Sequence, residues 1–104
     1  MSHFDDRRDA FENKHVHEEA LRFKIDARAN KLLGEWVASQ LGLTGKVAAE
    51  YVEAVIHANF EEPGREDVYR KVAGDLGNSV SESEIRQQMD QSFEDARRQV
   101  LEEA

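Results

Sequence analysis

Apolar residues recur along this chain at spacings of three and four, the mark of helices that bury one face. Leu21, Ile25, Leu32 and Trp36 form one stripe, which Phe23, Ala27, Val37 and Leu41 widen. It predicts a first helix over residues 18–41, roughly 36 Å long at 1.5 Å per residue. Gly42 should end that helix, because glycine accepts the left-handed backbone of a C-terminal cap. Val47, Ala48, Tyr51, Val52, Val55 and Ile56 predict a second helix over 45–60, with Thr44 placed to cap it. Glu62-Pro63-Gly64 then breaks the pattern, since proline lacks an amide donor and disfavours helical geometry in the residue before it. Val68, Val72 and Leu76, spaced by four, predict a short third helix over 65–76, closed by Gly77-Asn78. Ser81 and Glu84 make an S-x-x-E capping box. The last helix should follow it over 82–102, with Ile85, Met89, Phe93, Ala96 and Val100 on one face. β-branched residues nowhere alternate with period two, so no strand is expected.

No one of these helices can hide its own stripe. The predicted fold is therefore all-α, a four-helix bundle with short connections. Gly34 and Gly74 fall inside predicted helices, where each costs about 1 kcal/mol relative to alanine; close helix contact would account for them. Trp36, Tyr51 and Tyr69 sit at or beside the stripes and are assigned to packing.

The segment ahead of Glu18 differs. Phe4, Phe11, Ile25 and Leu32 share a seven-residue repeat, but Glu18 interrupts it. Phe4, Phe11 and Val16 bury too little to fix this stretch against roughly 1–2 kcal/mol of backbone entropy per residue. The division expected is a flexible N-terminal arm over 1–18 and a bundle over 19–104. Two readings of the arm stand side by side: a frayed terminus, or a segment that folds on a partner, as two phenylalanines set two helical turns apart among mixed charges suggest.

Charge sharpens the division. The 104 residues carry a formal net charge of −8. Residues 1–30 hold seven acidic and six basic side chains, a net of −1; residues 31–104 hold fifteen and eight, a net of −7. An acidic chain is repelled by phosphate backbones and by anionic membrane surfaces, which argues against nucleic acid and lipid as partners. The sequence has no cysteine, which removes disulfides, thiolate chemistry and Cys-ligated zinc. No apolar run approaches the ~20 residues of a membrane-spanning helix, and the acidic start is unlike a signal peptide. A cytoplasmic address is expected.

Catalytic motifs are missing: there is no G-x-x-x-x-G-K-[ST], G-x-G-x-x-G, G-x-S-x-G or H-E-x-x-H. Paired carboxylates such as Asp5-Asp6, Glu18-Glu19 and Glu94-Asp95 read as a solvated acidic face, because no second element marks any pair as an acid and base held in a cleft. His15 and His17, two apart, would point to nearly opposite sides of a helix and would not share a metal ion. With His3 they are instead candidates for pH response, since histidine titrates near neutrality. The residues by themselves describe a small helical regulatory protein that acts by binding a partner, not an enzyme.

Four stretches resemble the zeta-subunit family of bacterial F-type ATP synthase inhibitors. They are FDDRRDAFENK (4–14), LRFKIDARANKLLGEW (21–36), FEEPGREDVYRKV (60–72) and VSESEIRQQMDQSF (80–93), in the family's order and over nearly the whole chain. The resemblance implies an inhibitory arm that enters the catalytic head of the synthase as a helix and blocks the hydrolysis direction. Phe4, Asp5, Asp6, Arg7, Phe11, Glu12 and Lys14 are its implied contact residues. The implied partners are the head subunits, and the implied location is the cytoplasmic side of the inner membrane, through the synthase. His15-Val16 stands where an aromatic and a small residue are common in the family, and Ala20 where an acid is common. The resemblance also implies weak ATP or ADP binding, at residues the sequence does not assign, and no other cofactor. From other classes, a cytoplasmic helical adaptor and a nucleotide-binding sensor with an unknown partner remain alternatives.

Overall fold

The computed structural model describes the backbone of residues 3–61 and 65–103, and the side chains of residues 18–58 and 65–103. Four α-helices make it up: α1 (His3–Gln40), α2 (Gly45–Glu61), α3 (Arg65–Leu76) and α4 (Glu82–Glu103). No strand occurs among the described residues. Each helix stops where a physical signal stops it. Gly42, at φ 74°, closes α1 in a Schellman motif: the Leu43 amide donates to the Ala38 carbonyl (2.9 Å) and the Gly42 amide to Ser39 (3.1 Å). Gly77, at φ 62°, closes α3 with a single bond from its amide to the Ala73 carbonyl (3.0 Å). At the head of α4 the Glu84 amide donates to Ser81 Oγ (3.2 Å), the serine half of the predicted capping box. At the head of α2 the Ala48 amide reaches the Thr44 carbonyl (3.4 Å), which starts the helical ladder. The expected break at 62–64 lies outside the described residues; α2 ends just before it and α3 begins just after.

α1 is the axis. α2 and α4 pack along different sides of it and their backbones do not approach each other, while α3 bridges all three. This arrangement moves the buried line of α1 by one position. The stripe predicted for it ran through Leu32 and Trp36, yet the residues most withdrawn from solvent are Ala29, Leu33, Val37 and Ala38. A helix covered from two sides buries the line between its neighbours, so Leu32 and Trp36 are half-buried and Phe23 is 57% exposed. α2 covers one side only. Val55 is the one fully buried apolar side chain among its described residues, and Val47, placed in its stripe, is 56% exposed. On α3, Val68, Val72 and Leu76 are buried as expected; on α4, Ile85, Met89, Ala96 and Val100 are. Ser92 was not foreseen in the core. It is fully buried on the same face of α4, and Gln88 Nε2 donates to its hydroxyl at 3.4 Å.

Polar clamps close the edges of this small, valine-rich core. Tyr51 donates to Asp75 Oδ2 (2.7 Å), joining α2 to α3, and Lys71 sits over the Tyr51 ring while pairing with the same carboxylate. Burial and the bond to Asp75 raise the Tyr51 hydroxyl far above its usual range, so it remains a donor at any physiological pH. Arg86 joins α4 to α3 through both oxygens of Glu66 (2.7 and 3.3 Å) and stacks 3.8 Å from the Tyr69 ring centre.

The two interior glycines part company. A Cβ on Gly34 would lie 3.1 Å from Val52 Cα and 3.3 Å from Val55 Cβ, so α1 and α2 touch there through backbone. A Cβ on Gly74 would meet nothing within 4 Å, so helix contact does not explain that glycine. Alanine is therefore expected to act oppositely at the two sites. Gly74→Ala should raise stability by about 0.5–1 kcal/mol through helix propensity. Gly34→Ala gains the same propensity but crowds buried backbone, and overpacking costs about 1–3 kcal/mol, so its midpoint in urea should fall. Equal midpoint shifts for the two variants would show that the α1–α2 approach is not tight.

Candidate functional site

The site begins with the register between α1 and α4. Trp36 shares a surface hollow with Glu84, Gln88 and Gln91 near the start of α4. Arg28 reaches Gln99 Oε1 (2.9 Å) and Glu103 (2.9 and 3.0 Å) near its end. Falling numbers on α1 thus meet rising numbers on α4, and the two helices are antiparallel. Leu21 lies level with Leu101. α4 stops two residues later, at Glu103, whereas α1 extends back to His3. Residues 3–18 of α1 therefore project about 24 Å past the end of α4, at 1.5 Å per residue.

Every arm residue singled out in the sequence lies on this projecting stretch: Phe4, Asp5, Asp6, Arg7, Phe11, Glu12 and Lys14, with His3, His15 and His17. The sequence placed the helix start near Glu18, but the helical backbone continues to His3 without a break. The side chains of these residues lie outside the described ones, and so does the expectation that the arm is loosely held.

Where the projection leaves the bundle, Leu21, Ile25, Phe93 and Leu101 floor a groove of about 300 Å³, with Glu18, Arg22 and Arg97 on its rim. Leu101 is 48% exposed. Sequence reasoning assigned Leu21, Ile25 and Phe93 to core stripes and did not single out Leu101, Arg22 or Arg97. The available signal was weak: Leu101 falls one position off the α4 stripe. The Arg28 clamp beside this groove holds the Glu103 carboxyl below its usual range, through its hydrogen bond and its charge.

Elsewhere the surface offers little chemistry. A hollow of about 590 Å³ opens between α1 and α2 over Ala38, Ala48, Val52 and Ile56. A smaller one of about 100 Å³, among Asp26, Asn30, Leu33, Met89 and Phe93, is edged by Arg65, which stacks on Phe93 and pairs with Asp90 (3.4 Å). Among the described residues no three His, Asp or Glu side chains gather closely enough to hold a metal ion. No helix among them is long and apolar enough to cross a membrane.

Comparison with known proteins agrees with this anatomy. A family model described as ATPase inhibitor subunit zeta matches residues 1–99, which takes in the projection as well as the bundle. A structure solved in solution by NMR is 44% identical, covers 81% of this chain and 99% of its own, and superposes with a TM-score of 0.74. No curated protein matches the chain.

The clamp at the root of the projection has a defined pH dependence. A carboxyl whose folded pKa is lowered adds stability above its ordinary value of 4.5, and that stability is lost as pH falls through the lowered folded value. Glu103→Gln should therefore melt slightly below wild type at neutral pH, and the gap should close once the solution is more acidic than the folded carboxyl. A gap that persists unchanged in acid would mean that Glu103 acts through packing rather than charge.

Proposed function

The chain belongs to the family of ATPase inhibitor subunit zeta, and on that premise we propose that it restrains ATP hydrolysis by an F-type ATP synthase by inserting its N-terminal arm, as a helix, into the catalytic head. The observation that carries the reading is the projection: α1 outruns α4 by residues 3–18, so a single helix stands clear of the bundle. One helix is about 10–12 Å across with its side chains, slender enough to enter a subunit interface that a four-helix bundle cannot follow. Helices in proteins take most of their stability from tertiary packing; for the arm, the synthase would supply it.

Residue types suit the task. Phe4 and Phe11, seven apart, anchor the arm, each contributing up to about 3 kcal/mol by burial. Asp5, Asp6, Arg7, Glu12 and Lys14 set its register through charge pairs, which select a partner more than they tighten it. His3, His15 and His17 would carry positive charge below about pH 6.5, so an acidic partner surface would bind the arm more tightly in acid. The protein is a regulator in this scheme, with no reaction of its own and no cofactor needed for the block. It works at the cytoplasmic face of the inner membrane, held there by the head subunits it binds. Weak ATP or ADP binding, implied by the family resemblance, plays no part in the block itself.

Deleting residues 1–18 is expected to abolish inhibition of ATP hydrolysis by the cognate synthase and leave the bundle folded, with stability changed by no more than about 0.5 kcal/mol. Phe11→Ala should weaken inhibition at least about tenfold, the cost of a buried anchor. A truncated chain that inhibits as well as the full one would show that the arm is not the inhibitor. A full chain that neither inhibits nor captures head subunits would put the adaptor reading ahead.

A further inference from the structure

We propose that the groove at the root of the arm, floored by Leu21, Ile25, Phe93 and Leu101, is a second part of the docking surface and seats an acidic, amphipathic helix of the same synthase head that receives the arm. The proposal rests on the inhibitor reading above and adds a contact on the bundle itself.

The track left by α4 is the first argument. α4 lies along α1 from Trp36 to Leu21 and ends at Glu103. The groove runs beside the last turns of α4, from Phe93 to Leu101, and α1 continues past it. A helix laid in the groove beside α4, at the usual 8–10 Å between axes, would lie against both α1 and α4 and run on along α1 toward the arm. The sequence keeps the phase: Phe4, Phe11 and Ile25 stand on one seven-residue repeat, with Glu18, on the rim of the groove, as its break. A single partner helix would engage Ile25 here in the helix-in-groove manner.

Charge selects the occupant. Arg22 and Arg97 line the groove and take part in no ion pair among the described residues, whereas Arg28 nearby is held by Glu103. Glu18 is the one carboxylate in the lining. An apolar floor with two uncommitted guanidiniums, on a molecule of net charge −8, is a place for carboxylates flanking an apolar face. Leu101, half in solvent, is the apolar side chain such a helix would cover.

The test uses the full-length chain and purified synthase head, measuring both binding and inhibition of hydrolysis for wild type, Leu101→Glu, Arg97→Glu and Phe11→Ala. Circular dichroism and thermal melting confirm that the exposed-site variants fold as wild type. Leu101→Glu and Arg97→Glu are each expected to weaken binding tenfold or more with the arm intact, and the Arg97→Glu deficit should shrink at high salt. If both bind and inhibit as wild type while Phe11→Ala fails, the arm is the whole surface and the proposal is overturned, with the inhibitor reading standing. If wild type binds the head and Leu101→Glu does not, but neither slows hydrolysis, the groove stands and the inhibitor reading falls. A concentration-dependent dimer that Leu101→Glu dissolves would assign the groove to a second copy of this chain and overturn the proposal.

Discussion

Everything in this molecule hangs on the line Ala29–Leu33–Val37 along α1. Three helices pack on one, and α2 and α4 reach it from sides that do not meet. The side chains on that line are small or medium, and they must be, because neighbours on two sides leave little room between axes. The same economy appears at Gly34, where α2 lies against bare backbone, and at Ser92 and Ala96 on α4. A core of valines with one leucine and one isoleucine among its fully buried residues has narrow tolerance, since close-packed interiors register even a methylene.

Such a core leaves much of the helix-to-helix specificity to clamps at its edge. Tyr51–Asp75–Lys71 fixes α3 on α2, Glu66–Arg86–Tyr69 fixes α4 on α3, and Arg28–Gln99–Glu103 fixes the end of α4 on α1. Exposed ion pairs contribute little to stability one by one. Their value here is in register: each ties a side chain of one helix to a single position on the next. The last clamp also determines how much of α1 stands free, because it sets where α4 ends along it.

The bundle and the projection thus divide the work. The apolar residues of the bundle hold α1, and the remaining length of α1 extends past the end of α4. A protein that inhibits by inserting one helix needs both parts: a projection free to be received and a body that anchors it and stays outside. The groove at the junction belongs to both.

The helices and their ends, apart from the start of α1, were legible in the sequence because they depend on local chemistry. Gly42, Gly77 and the Ser81–Glu84 box act within one turn of themselves, and spacing by three and four is a property of a single helix. Residues 4–14 stood apart in the sequence because their apolar content is visibly too small for a core of their own and because their motif resembles a known family. What the sequence could not decide was which of two adjacent positions goes to the centre. Leu32 and Leu33 are chemically identical, and only the angle between α2 and α4 around α1 buries one and leaves the other at the edge. Nor could it separate Gly34 from Gly74, alike in sequence but opposed in setting, or find the groove of Leu21, Ile25, Phe93, Leu101, Arg22 and Arg97. The α1 members of that groove lie 68 or more positions from the α4 members and become neighbours only through antiparallel packing, whose register is fixed by contacts across the fold.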